Sequence, residues 1–293
     1  MKYHVVHTTS YRYSQPAPLC HNLVHLTPRT FARQKCLYHE LEIVPSPSFV
    51  ESWYDYFGNG AHFFSLETPH TELIITARSE LQVLPSDPFL PAATLPWEDA
   101  RAHLQNPPGE ETRAASQFCH ESPFVPRSAE AEKFAAPLFL PGRPLLDAVL
   151  ALTSHIFREF KFDKTATAVN TPTSEVFKKR RGVCQDFAHL QIACLRSLGL
   201  AARYVSGYLL TDPPPGKPKL VGADASHAWI SVYCPGLGWI DYDPTNNLIP
   251  DIRHVTLGWG RDYGDVCPIN GVLIGGGKSE LSVSVDVAPV AEI

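Results

Sequence analysis

The chain has 293 residues, of which 44% are hydrophobic and 19% are charged, and its formal net charge is −5. This composition is typical of a globular protein long enough for two domains, and the slight acidic excess excludes the basic surface that nucleic-acid binding requires. The first ten residues contain no apolar segment of the signal-peptide kind, and no stretch reaches the length of a membrane span. We therefore expect a cytoplasmic location and no membrane partner.

The first region, residues 1–85, is rich in β-forming residues that alternate between apolar and polar positions. Short segments of this kind are separated by proline, glycine and asparagine, at residues 3–13, 20–27, 36–44, 49–56, 61–67 and 71–83. Regularly spaced short strands with such punctuation predict an all-β, sandwich-like N-terminal domain.

Two histidines of this region have the four-residue spacing of a helical metal-binding pair. His21 and His25, however, lie in a run that is typical of a strand. Residues four apart in a strand stand roughly 13 Å from each other and cannot ligate one ion. We therefore predict no metal site there, and nothing else in the sequence indicates a metal or a cofactor.

The second region, residues 86–140, is a proline-rich connection with one short predicted helix, at about 97–104. The third region, residues 141–293, begins with apolar residues at helical steps over 145–160, which predict a core helix. A short helix at 174–180 is expected to follow. Strands near 272–274 and 281–287 are expected to finish the chain and to return to the main sheet.

The reactive residue that the sequence indicates is Cys184. It follows Gly182-Val183 and opens a run whose apolar residues recur at helical steps, until Gly199 provides a stop signal. Cys184 would then lie in the first helical turn, where free backbone N–H groups and the helix dipole favour a thiolate. The chain has seven cysteines and no C-x-x-C pair, which predicts free thiols, and the other six are interpreted as structural.

A base and an orienting acid occur downstream of this cysteine. His227 lies near the start of the predicted strand at 226–233, and Asp243 ends the next one, at 238–243, where Pro244 forces a turn. A short Pro/Gly connection between the two strands predicts a hairpin. His227 and Asp243 would then lie close together at the outer ends of adjacent strands, as a Cys–His–Asp relay requires.

These motifs resemble the transglutaminase-like family, whose core belongs to the papain-type superfamily, and in particular its bacterial branch. The resemblance covers nearly the whole chain and is weakest between about 86 and 140. It includes the triad positions Cys184, His227 and Asp243. The segments that carry it are residues 8–13, 55–59, 182–189, 195–208, 223–229, 238–246 and 260–266.

The resemblance implies an α+β fold, with an all-β N-terminal domain followed by a core in which the cysteine-bearing helix packs on an antiparallel sheet. It also implies acyl transfer on amide or carboxamide groups of a protein or peptide substrate. The residues leave open whether the acyl group passes to an amine or, as in a peptidase or amidase, to water. A non-catalytic scaffold is the third alternative, against which the intact triad argues.

Several neighbours of the triad carry separate predictions. Asp186 suits the helix dipole and is interpreted as structural, and Asp224 is a second acidic neighbour. Arg203 is expected to anchor a carboxylate such as Asp241 or Asp224. Two tryptophans, 229 and 239, are expected to flank the site from adjacent strands. The proline-rich loop at 211–219 is either a substrate-contacting rim or a plain surface connection.

Overall fold

A computed structural model describes residues 1–86, 88–211 and 225–290 of the chain. The protein is a mixed α+β structure in which strands dominate the first third and the last part of the chain. The predicted fold class is therefore confirmed. Within the described residues, no helix combines the length and the apolar character needed to cross a membrane.

The N-terminal sandwich consists of two four-stranded antiparallel sheets. The first sheet has the order β14-β1-β6-β3, with β1 at Lys2–Ala17, β3 at Gln34–Val44, β6 at His70–Val83 and β14 at Ser279–Val290. The second has the order β13-β2-β5-β4, with β2 at Leu19–Val24, β4 at Phe49–Tyr54, β5 at Gly60–Leu66 and β13 at Ile269–Ile274. Apolar side chains from the inner faces of both sheets form one core cluster.

The last two strands complete this sandwich. β14 pairs with β1 from Lys2↔Val290 to Tyr13↔Ser279, and β13 pairs with β2. The sequence-based boundaries placed these strands with the catalytic region, 141–293. The structure differs because the buried Val287 of β14 lies opposite the buried Val5 of β1. Val285 and Val287 of β14 are therefore part of the core of the sandwich.

The connection between sandwich and core contains more helix than predicted. The expected helix is confirmed as α1, Trp97–Gln105, but α2, Glu110–Ser116, and α3, Ala129–Ala135, are also present. α2 follows two prolines and has only seven residues, which is too short for a recognisable apolar period. α1 packs against α4, Leu145–Glu159, which confirms the predicted core helix.

The core domain is a four-stranded antiparallel sheet covered by helices. The sheet order is β11-β10-β9-β12, with β9 at Ala202–Leu209, β10 at Ala225–Cys234, β11 at Gly238–Tyr242 and β12 at His254–Gly260. α6, Cys184–Ser197, packs on β9 and β10, and most of its side chains are buried. It is preceded by α5, Thr173–Lys179, and by a parallel pair of two-residue strands, β7 (Lys161–Phe162) and β8 (Arg181–Gly182).

The far end of α6 is fixed by a buried arginine. Arg196 donates to the carbonyl oxygens of Phe118, Ala202 and Arg261. Gly199 then ends the helical segment with a φ of +79°, a conformation that other residues adopt only with strain. The helix that carries Cys184 is therefore held at its C-terminal end by three separate parts of the chain.

Acidification is expected to destabilise this core through His189 of α6. Its Nε2 accepts the backbone N–H of Tyr263 at 3.1 Å, and burial lowers the pKa of His189 to about 4. Because its pKa in the unfolded chain is about 6.5, its contribution is present above pH 6.5 and is lost as the pH falls towards 4. We expect about 3 kcal/mol of unfolding free energy to disappear over this range through His189 alone.

Urea unfolding at a series of pH values measures this loss. His189→Gln keeps an acceptor for Tyr263 but cannot take up a proton, so its stability should fall less steeply below pH 6.5. The same substitution at the exposed His120 is the control and should leave the slope unchanged. Equal slopes in wild type and His189→Gln would contradict the assignment.

Candidate active site

Cys184 is the first residue of α6, and the loop before it is held by Asp186. The Oδ2 atom of Asp186 accepts the backbone N–H of Val183 at 2.8 Å and the hydroxyl of Thr167 at 2.6 Å. A Cβ at Gly182 would lie 2.6 Å from the same oxygen, so a side chain there would displace it. Asp186 therefore positions the nucleophile loop, which agrees with its structural interpretation.

Cys184 is partly exposed, and its backbone N–H lies at the start of the helix. N–H groups in the first helical turn have no partner within the helix, and they can donate to an oxyanion. The side-chain amide of the neighbouring Gln185 donates instead to the carbonyl oxygen of Val169 at 2.8 Å. The nucleophile position thus offers one clear oxyanion donor, the N–H of Cys184 itself.

His227 and Asp243 meet at one end of the β10–β11 hairpin. The last pair of this ladder is Ile230↔Tyr242, so both residues lie just beyond it. Their Nε2 and Oδ2 atoms are 2.7 Å apart, and both side chains are buried. The structure therefore brings the two residues together as the sequence predicts.

The Asp243 carboxylate accepts hydrogen bonds at both oxygens. Oδ1 accepts the backbone N–H groups of Thr245 and Asn246, and Oδ2 accepts His227, the Asn246 amide at 2.7 Å and His254 at 3.2 Å. Burial alone would raise the pKa of Asp243, but the bonds from His227 and His254 outweigh it and hold the pKa well below its ordinary value. The group is therefore a carboxylate at neutral pH.

The contact with Asp243 shifts the pKa of His227 in the opposite direction, upward. Burial alone would lower the pKa of His227, but its hydrogen bonds with Asp243 and Cys184 raise it to about 10. Since Nε2 is bound to Asp243, Nδ1 is the nitrogen left for the thiol. The contact with Asp243 favours the imidazolium form of His227, which a Cys–His–Asp relay uses.

Of the two tryptophans expected beside the site, Trp229 lies next to His227. The fully buried ring of Trp229 lies 6.0 Å from the ring of His227 and 5.2 Å from that of His254, and it shields both from water. Trp239 instead packs against Phe118 and Tyr233. It points to a separate part of the same sheet, so the prediction is wrong for this residue.

Asn246 and His254 were not assigned roles from the sequence. Asn246 follows Asp243-Pro244, and a turn of this type returns its side chain to the aspartate. That signal is visible in the sequence. His254 lies on β12, which does not pair with β11, and only the fold brings its ring to Asp243.

Among the described residues, one group has donor atoms close enough to hold a metal ion: His227, Asp243 and His254, whose atoms lie within 4.8 Å of one another. Both nitrogens contact the same carboxylate oxygen at hydrogen-bond distances. Hydrogen bonds therefore account for the cluster. Residues 212–224 lie outside the described residues, and with them Asp224 and most of the predicted proline-rich loop.

Comparison with known proteins identifies the class to which this fold and site belong. The bacterial transglutaminase-like N-terminal region matches residues 3–82, and the transglutaminase-like superfamily core matches residues 132–244. The chain belongs to the transglutaminase-like superfamily, and the resemblance found in its sequence is confirmed.

The similar proteins include full-length relatives. An uncharacterized protein of Mycobacterium tuberculosis is 42% identical over 98% of this chain and 93% of its own length. A protein-glutamine gamma-glutamyltransferase of Pseudomonas aeruginosa is 31% identical over 36% of this chain and 16% of its own length. A crystal structure of a candidate cysteine protease from Cytophaga hutchinsonii shares the fold, with a TM-score of 0.76, 21% identity and coverage of 100% of this chain and 92% of that one.

Proposed function

We propose that this protein is a cysteine-dependent acyltransferase that acts on carboxamide groups of proteins or peptides. The observation that carries the proposal is the buried His227–Asp243 pair at 2.7 Å, hydrogen-bonded onward to a cysteine at a helix start. The similarity of part of the chain to a protein-glutamine gamma-glutamyltransferase supports a carboxamide as the acyl donor.

The reaction begins with attack of the Cys184 thiolate on the carboxamide carbon. The carbonyl electron pair moves to oxygen, and the oxyanion accepts the backbone N–H of Cys184. When the tetrahedral intermediate collapses, the C–N bond breaks and His227 gives its proton to the departing nitrogen. Ammonia leaves a glutamine side chain in this step, and a thioester remains on Cys184.

The second half-reaction uses the same residues in reverse. Neutral His227 takes a proton from an incoming primary amine, which attacks the thioester carbon and releases the thiolate. Asp243 keeps the imidazole in one orientation and stabilises its protonated form. His254 and Asn246 hold Asp243 through its Oδ2 atom, so they are positioning residues for the relay.

Hydrolysis by the same relay is the alternative function. Water in place of the amine would make the protein an amidase, or a cysteine peptidase if the donor is a peptide bond. The partial exposure of Cys184 gives water access to the thioester, and this observation keeps hydrolysis as the second candidate. A non-catalytic scaffold would not require the buried ion pair beside the thiol.

The two reactions are distinguished by the product. Dimethylated casein, whose own lysines are blocked, serves as donor and a biotinylated primary amine as acceptor, with peptide mass spectrometry as the readout. We expect amine adducts on glutamine with wild type and none with Cys184→Ala. Deamidated glutamine without adducts would assign hydrolysis, and new peptide ends would assign proteolysis. Products identical to those of Cys184→Ala across a broad glutamine-peptide library would reject acyl transfer.

A further inference from the structure

A cavity lies on the core sheet away from Cys184. It has a volume of about 480 Å³ and opens between strands β9, β11 and β12, a loop of the sandwich and the start of the connection. Sites for small molecules are commonly apolar cavities of this size at domain boundaries. Its walls are largely apolar and aromatic, and include Phe31, Phe89, Val205, Trp239, Ile249 and Trp259.

The one arginine of the core sheet that lines this cavity is Arg203 of β9. Its guanidinium carbon lies 4.2 Å from the ring centre of Trp239 and 3.7 Å from that of Trp259. The two rings thus cover both flat faces of the guanidinium. Its edge, which carries the N–H donors, is left for hydrogen bonds. Arg203 is nine-tenths buried, and its Nε atom has no hydrogen-bond partner among the described residues.

Among the described residues, no carboxylate forms a direct ion pair with Arg203. Asp241 lies on the same face of the sheet, because both residues are paired with Ser231. It acts on Arg203 through space, yet within the described residues no ion pair of 4.0 Å or less joins them. Asp241 therefore does not provide the anchor expected from the sequence, and the other candidate, Asp224, lies outside the described residues.

A second guanidinium adds to the positive charge. Arg29 also stacks on the ring of Trp259 at 3.7 Å, and two groups at this distance occupy opposite faces of the ring. Burial lowers the pKa of Arg203 to about 9 and that of Arg29 to about 10. Both remain cations at neutral pH, and Arg33 also lines the cavity, so positive charge exceeds that of the single lining carboxylate, Asp241.

Stacking between tryptophans would explain the position of Arg203 by cation–π attraction alone. It does not explain a buried guanidinium edge without a partner at the base of an apolar cavity, since a buried unpaired donor destabilises the fold. An anion in the plane of the guanidinium would complete its hydrogen bonds, and a carboxylate matches that edge.

We propose that this cavity binds a small organic acid with an apolar body. Its carboxylate is held by the edge of Arg203, and its aromatic or aliphatic part packs against Phe31, Phe89 and the two tryptophans. This binding does not depend on the chemistry of Cys184. The cavity is linked to the relay through β11, because Asp241 lies on that strand and Asp243 directly follows its last residue.

The probe for this site is 4-phenylbutyrate, compared with its neutral analogue 4-phenylbutanamide. Calorimetric titration measures both affinities, and fluorescence of Trp239 and Trp259 reports occupancy. We expect the acid to bind wild type at least about tenfold more tightly than the amide. Arg203→Met should remove this preference, because it deletes the charge and keeps an apolar side chain in the stack.

A second pair of variants tests the site without touching the buried arginine. Leu237 is 51% exposed and lines the cavity, so it tolerates polar substitution. Leu237→Glu should weaken binding of the acid more than Leu237→Gln does, while both leave binding of the amide similar. A tripeptide ending in phenylalanine, with a free or an amidated C-terminus, shows whether a peptide carboxylate is also accepted. Equal binding of acid and amide to wild type, or no saturable binding of any probe, would overturn the proposal.

Discussion

In the His227→Ala variant, we expect iodoacetamide to alkylate Cys184 about 100-fold more slowly at pH 6.5 than in wild type. Hydrogen bonds with Asp243 and Cys184 raise the pKa of His227 to about 10, so the imidazolium is present at this pH and stabilises a thiolate. Without it, an ordinary thiol with a pKa of about 8.5 is only about 1% ionised at pH 6.5. Mass spectrometry of the alkylated peptide measures the rate without any knowledge of the substrate.

The remaining cysteines provide the internal reference for this experiment. All seven cysteines are free, and the partly exposed Cys36 and Cys267 should label at the same rate in both proteins. The exposed His120→Ala is the matched variant and should leave labelling of Cys184 unchanged. A Cys184 that labels slowly in wild type, and equally in His227→Ala, would refute the relay and favour the scaffold.

Asp243→Ala is expected to lower the free energy of unfolding by about 3–5 kcal/mol, which is the usual effect of removing one partner of a buried ion pair. Asp243 is fully buried and accepts five hydrogen bonds, from two histidines, an amide and two backbone groups. All five donors lose their acceptor in the variant. For a protein of this size the melting temperature should fall by roughly 10 °C in differential scanning calorimetry.

Asp241→Ala is the natural comparison, since it changes the same residue type two positions earlier in the chain. Asp241 is only partly buried and makes no ion pair within 4.0 Å among the described residues, so about 1 kcal/mol or less is expected. If the two substitutions had equal effects, the dense hydrogen bonding around Asp243 would not be a source of stability.

The relay geometry could be predicted from sequence because each part of it depends on local signals. A helix period after Cys184 sets the nucleophile at a helix start, and the Pro/Gly connection between two alternating runs sets a hairpin. The hairpin then places His227 beside Asp243 with no further information. His227 and Asp243 come together through a single pairing of strands that are consecutive in the chain.

The parts that escaped prediction depend on long-range pairing. His254 reaches Asp243 from β12, which joins the sheet on the far side of β9. The stacking of Arg203 requires Trp259 of β12 and Trp239 of β11 at once. Likewise, the alternation of residues 279–290 shows that a strand forms, but not that its partner is β1. A period of two identifies a buried face without identifying what buries it.

The pairing of β1 with β14 has a consequence for the order in which the protein assembles. β1 is synthesised before β14, one of its two partner strands, which follows more than two hundred residues later. Until then the first sheet has an open edge of the kind that promotes association with other chains. The core, in contrast, draws its sheet and α6 from residues 184–260 and can close while the chain is still being made. We therefore expect the sandwich to be most prone to association with other chains in the interval before β14 is made.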